Sequence, residues 1–131
     1  MINGTHLLIM SNDAEADRKF LKEVLGFQYV DVGHGWLIFG LPPAEVAVHP
    51  ADGEESGTSA GGGGMLGVHL YLMCADLKAE MARLAAKKVQ FGKVSEERWG
   101  TVTSFRLPSG GEIGLYQPKH QVAYGLGGPK G

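Results

Sequence analysis

A ten-residue stretch occurs twice in this chain: residues 4–13 read GTHLLIMSND and residues 67–76 read GVHLYLMCAD. Gly4, His6, Leu7, Met10 and Asp13 recur in the same order and spacing as Gly67, His69, Leu70, Met73 and Asp76. A match this short arises by chance when every window is compared with every other. What makes it a constraint is that the elements behind it also recur in order, too few times for a solenoid.

The first copy begins with an apolar run, residues 5–10, short enough for a strand. Asn12 or Asp13 then supplies a helix N-cap, with acidic residues in the first turn and a helix start near Ala14. Phe20, Leu21, Val24 and Leu25 form its apolar stripe, and Gly26 stands past its end. Residues 27–32 alternate, Gly33-His34-Gly35 has turn chemistry, and residues 36–41 make the second arm of a hairpin. Pro42-Pro43 stops it, and residues 45–49 read as one more strand before Pro50.

The second copy repeats this plan. A strand over 68–74 leads to an Asp76 N-cap and a helix with Leu77, Met81, Leu84 and Ala85 inward. A strand around 89–94, an alternating strand over 101–107, a Pro108-Ser109-Gly110-Gly111 turn and a last strand over 112–116 follow. The chain therefore predicts an α+β fold of two βαβββ modules within one domain of residues 1–131. The first module covers 1–50 and the second 67–118. Residues 51–66, rich in Gly and Ser, have the composition of a flexible linker, and residues 119–131 that of a loose tail.

With 131 residues, 44% of them hydrophobic, the chain can bury a core. A net charge of -2 and no cluster of Lys and Arg with interleaved aromatics argue against a nucleic-acid partner. No apolar run approaches the length that spans a bilayer, and the acidic residues at 13 and 15 come too early for a signal peptide, so the expected location is the cytoplasm. One cysteine, Cys74, excludes an internal disulfide and reads as a small buried residue rather than a reactive thiol. The GGGG run lacks the Lys-Ser/Thr and following helix of a phosphate loop.

Doubled βαβββ units, a His in the first strand of each, an Asp seven residues later, Leu25-Gly26-Phe27 after the first helix and a Pro-x-Gly turn before the last strand resemble the vicinal oxygen chelate superfamily. It includes glyoxalase I, extradiol dioxygenases and bleomycin-binding proteins. The stretches GHGWLIFGLPPAEVAVHP, HLYLMCADL and PSGGEIGLYQP are similar to a bacterial glyoxalase-like subgroup. The resemblance covers roughly residues 3–118. It implies a curved, mixed sheet forming a cup, and a homodimer as the common assembly.

The resemblance further implies a divalent metal (Zn, Fe, Ni or Mn) held by the two first-strand histidines, here His6 and His69, and by a ligand in each last strand. Those last-strand positions hold Ala47 and Gly114, so both expected carboxylates are missing. Residues two apart in a strand share a face, which makes Glu112, about 7 Å from position 114, a candidate third ligand or catalytic base. Glu45 and His49 stand in the same relation to Ala47. The other reading makes His6 and His69 plain cavity-wall residues. Trp99 and Arg98, in a loop before a strand, and Tyr116, on the last strand, are candidates for contacting a small-molecule ligand, the alternative for Trp99 being a cap on the core.

Two functions stay open. One is a small-molecule-binding protein without chemistry, like the bleomycin-sequestering members. The other is a metal-dependent lyase, isomerase or dioxygenase acting on vicinal oxygens, with Glu112 as ligand or base.

Overall fold

A computed structural model describes residues 5–48, 50 and 67–123. The expected linker, the end of the tail and His49 lie outside the described residues.

In the second half the predicted order is realised: β3 (Tyr71–Met73), α2 (Leu77–Ala85), β4 (Ser95–Glu96), β5 (Gly100–Arg106) and β6 (Glu112–Pro118). They build a four-stranded sheet in the order β3-β6-β5-β4, parallel between β3 and β6 and antiparallel elsewhere. Asp76 caps α2, its carboxylate accepting from Ala79 N–H at 3.1 Å. Between β5 and β6, Gly110 takes φ +101 and Leu107 N–H bonds Gly111 C=O at 2.7 Å, the reversal expected from Pro-Ser-Gly-Gly. The strand anticipated over 89–94 is reduced to a bridge between Phe91 and Phe105, with β4 forming just beyond it.

The first half is less complete. α1 (Ala14–Glu23) starts where expected, capped by Asp13 through Ala16 N–H. Gly26 at φ +75 turns the chain, so that Phe27 N–H reaches Leu21 C=O at 3.1 Å. β1 (Tyr29–Asp31) and β2 (Leu37–Phe39) form the hairpin, with His34 in the left-handed region at φ 55 between two glycines of positive φ. Residues 5–10 and 45–48, expected as the outer strands, carry no ladder. Their counterparts in the second half, β3 and β6, pair with each other, whereas among the described residues no strand pairs with either of these segments.

One core serves both halves. Leu77 and Leu84 of α2 pack with Val89, Phe105, Leu107, Ile113 and Leu115, and Phe20, Leu21, Val24 and Leu25 of α1 close over the same cluster. Phe20 and Phe105 stack at 6.1 Å between centroids. Phe105, 2% exposed, and Leu84, 1%, each contribute about 2 kcal/mol of apolar burial. Ala85, expected inward, is exposed.

Polar ties also join the halves. Asp17, itself buried in α1, accepts from Ser109 N–H at 3.0 Å and from Ser109 Oγ at 2.7 Å. Lys87, just past α2, donates to the last carbonyls of α1, Glu23 O at 3.2 Å and Val24 O at 3.4 Å, where the helix dipole favours a cation. Among the described residues no helix is long and apolar enough to cross a membrane.

Candidate functional site

Because α1 and α2 cover one face of the four-stranded sheet, the other face is left to form a site. Ladder register says which side chains reach it: Tyr71 stands opposite Gly114, which stands opposite Ser104; Met73, Tyr116, Val102 and Ser95 line up likewise. Glu112 and Arg106 share the same face. Residues 7–10, although unpaired, run past this face and help enclose a cavity of about 720 Å³. Its walls include Leu7 to Met10, His69, Tyr71, Lys93, Ser95, Ser104, Glu112 and Gly114.

Three aromatic rings meet at one end of this face. Trp99 and Tyr116 lie edge to face at 5.2 Å and 87°, Tyr71 and Tyr116 at 5.7 Å and 86°, and Tyr71 and Trp99 at 6.3 Å and 83°. Each pair is in the range where aromatic geometry adds to area burial. Tyr116 is buried, while Tyr71 and Trp99 are each about two-fifths exposed, 43% and 42%. Two glycines make room for these rings. A Cβ on Gly100 would stand 2.9 Å from Tyr116 Cδ2, and one on Gly114 would stand 2.2 Å from Tyr71 Cδ2 and 2.9 Å from its Cγ.

The loop carrying Trp99 is held on three sides. Glu97 and Gly100 bond each other's backbones across the β4–β5 turn, and Lys119 N–H bonds Trp99 C=O at 2.8 Å. Lys119 Nζ then reaches Glu96 Oε1 at 2.9 Å and Glu97 C=O at 3.1 Å. The lysine and the Thr101 hydroxyl, which donates to the same oxygen, hold the Glu96 carboxyl below its ordinary pKa.

Several polar side chains at the site are paired. Ser104 Oγ donates to Glu112 at 2.8 Å, and Arg106 donates to Gly110 C=O at 2.9 Å. Tyr116 OH meets His120 Nε2 at 3.2 Å, and His120 Nδ1 lies 2.9 Å from Gln121 C=O. The carbonyl requires a proton on Nδ1, so in the neutral ring Nε2 accepts from the tyrosine. Glu45 lies 3.6 Å from the same nitrogen and accepts from Ala123 N–H at 2.7 Å. Cys74, half-buried behind β6, donates to Tyr116 C=O at 3.7 Å, and burial, with Glu80 nearby, pushes its thiol up.

The candidate residues named from sequence fall into separate groups. His69 and Glu112 both line the cavity, and Trp99 and Tyr116 join in the aromatic corner. Arg98 is exposed on the same turn as Trp99. His6 is exposed in the unpaired 5–10 segment, and Ala47 is exposed in 45–48. Glu45 faces His120 and Ala123 instead of the cavity. Among the described residues no three His, Cys, Asp or Glu side chains gather into a group that could hold a metal ion. At position 114 the Tyr71 ring fills the space that a side chain would take.

Sequence reasoning missed Tyr71. Two signals pointed to it: Tyr71 replaces Leu8 in the repeated decapeptide, and a glycine inside the strand EIGLY marks close approach of another group.

Residues 5–115 match the family model of the Glyoxalase/Bleomycin resistance protein/Dioxygenase superfamily. No curated protein matches the chain. Solved structures do. An antibiotic binding protein, TnmS3, from Streptomyces sp. CB03234 is 25% identical, with a TM-score of 0.58 over 91% of this chain and 99% of that one. A glyoxalase/bleomycin resistance protein from the same organism is 25% identical, with a TM-score of 0.52 over 82% of this chain and 93% of that one. Lactoylglutathione lyase from Agrobacterium tumefaciens, 15% identical over 82% and 87% of the two chains with a TM-score of 0.55, shares the fold. By its family model and its mixed βαβββ sheet, the chain belongs to the glyoxalase/bleomycin resistance protein/dioxygenase superfamily.

Proposed function

We propose that this protein binds a flat, largely apolar small molecule on the free face of its four-stranded sheet, without a metal ion. The observation that carries the reading is the aromatic corner of Tyr71, Trp99 and Tyr116 beside the cavity. Two part-exposed rings give a stacking surface, and His69, Ser95, Ser104 and Glu112 supply the few polar groups that orient a ligand. TnmS3, similar over nearly the whole chain, is an antibiotic binding protein, which supports ligand sequestration.

Fluorescence titration tests this with bleomycin and with the flat tricyclic dye proflavine, in a Trp36→Phe background that isolates Trp99. Saturable quenching of Trp99 is expected, and the saturable change in proflavine's own emission should weaken in Trp99→Leu; no saturable change with either probe would count against the reading.

A second reading rests on His69 and Glu112 sharing one cavity wall. In it a divalent metal polarises vicinal oxygens of a substrate and Glu112 serves as ligand or base. Metal analysis of the purified protein, followed by His6→Ala and His69→Ala, separates the two: stoichiometric metal lost on either substitution favours the enzyme.

A homodimer in the cytoplasm completes the proposal. Leu8, Met10, Val46 and Val48 are 68%, 86%, 90% and 94% exposed on the two unpaired segments, an apolar surface that a second copy would cover. Light scattering coupled to size exclusion measures the assembly, and a monomer at micromolar concentration would refute it.

A further inference from the structure

We infer that Tyr71 closes this cup to a metal ion and makes it a stacking site: its ring takes the space that a ligand side chain at position 114 needs. The inference rests on the metal-free reading above and assigns its cause to one residue.

The geometry follows from the ladder. Parallel pairing of β3 with β6 puts Tyr71 directly opposite Gly114, on the face that also carries His69 and Glu112. The ring leans from β3 across β6 until it meets Tyr116 edge to face. Three of its atoms, Cγ, Cδ2 and Cε2, then lie within 2.9 Å of where a Cβ on residue 114 would stand. Cγ and Cδ2 are at the base of the ring, so no small swing of its far end relieves the clash. Any residue larger than glycine at 114 must turn the whole ring out of the corner.

A carboxylate at 114 and the Tyr71 ring therefore exclude each other. With the ring in place, Glu112 is the carboxylate that β6 brings to this wall, and it already accepts from Ser104. With the ring removed, a residue at 114 would project on the same face as His69, one rung along from it on the neighbouring strand. Glycine at 114 is thus the partner of Tyr71 rather than an isolated loss of a ligand.

Cobalt(II) titration, read by visible absorption, is the test, applied to the full chain and to Gly114→Glu, Tyr71→Ala and the double variant. The double variant is expected to bind cobalt at least about tenfold more tightly than the parent or than Gly114→Glu alone, and to lose that gain on His69→Ala. Equal binding by Gly114→Glu with Tyr71 retained, or no gain in the double variant, would overturn the inference. Stoichiometric cobalt binding by the parent, lost on His69→Ala, would instead overturn the metal-free reading itself. If the double variant does not fold, proton NMR of the parent decides: the Gly114 Hα signals should be displaced by the ring current of Tyr71 and return to ordinary positions in Tyr71→Leu. Ordinary Gly114 positions in the parent would refute the packing. Proflavine affinity should fall in Tyr71→Leu, and an unchanged value would refute the stacking role.

Discussion

The ring of Tyr71 lies over Gly114 so closely that the smallest side chain at 114 would stand 2.2 Å from Tyr71 Cδ2. Glycine in a strand interior ordinarily weakens it, and here a cross-strand ring covers the exposed backbone. Gly114→Ala is expected to destabilise the protein by about 1–3 kcal/mol through overpacking. Most of that loss should vanish in a Tyr71→Leu background, because the two residues share one space. Urea denaturation of the four proteins of this cycle measures the coupling.

Asp17 and Ser109 tie α1 to the β5–β6 turn through two hydrogen bonds on a buried carboxylate. Ser109→Ala removes the hydroxyl bond only, at a cost of about 1–2 kcal/mol, whereas Asp17→Ala forfeits both bonds, at about 3 kcal/mol. The ranking, read from denaturation midpoints, matters more than either value. Equal losses would mean that the backbone bond contributes nothing.

Lys119 and Glu96 brace the turn that presents Trp99. The pKa of Glu96 is lowered in the folded protein, so the pair's contribution is present above the ordinary value of 4.5 and is lost as pH falls through the lower folded value. Both groups are well exposed, so the effect on global stability should be small and screened by salt. The readout is local. In a Trp36→Phe background, Trp99 emission should change on acidification below pH 4.5, and Glu96→Gln should remove that transition.

Cys74 should be a poor nucleophile. Burial, then the nearby carboxylate of Glu80, raise its pKa above 9.0, leaving the thiol protonated at neutral pH. Iodoacetamide should label the native protein slowly at neutral pH and faster once the pH passes 9.0, while the urea-unfolded chain reacts faster throughout. Because the folded value is the higher one, this thiol costs no stability below the unfolded pKa and destabilises the fold as pH rises above it. Rapid native labelling at neutral pH would contradict the burial.

Much of the local structure was legible because its causes are local. Asp13 and Asp76 cap their helices where expected, Gly26 and Gly110 turn the chain with positive φ, and the second module forms in the predicted order. In the first module α1 and the β1–β2 hairpin form as expected. Residues 5–10 and 45–48 have strand composition, yet a strand exists only where another backbone lies beside it, and the described chain brings none to either segment. The start of α1 was legible from its Asp13 cap. Its apolar stripe was visible, but that the stripe closes over the second module's sheet depends on long-range packing.

For the candidate site the division is similar. The repeated decapeptide was enough to expect a strand here, which forms over Tyr71–Met73 with His69 just ahead of it, and alternation along EIGLY put Glu112 and Gly114 on one face. Those are consequences of a two-residue period, which any reader of the chain can count. Which side chains meet was decided by the parallel register of β3 on β6, a contact between segments far apart in sequence. A slip of one residue would have turned Tyr71 toward the core and left Gly114 bare. The sequence by itself determined the duplicated plan and the absence of carboxylates at 47 and 114. Only the tertiary structure decided that the place beside Gly114 is filled by an aromatic ring, because volume is settled where strands meet.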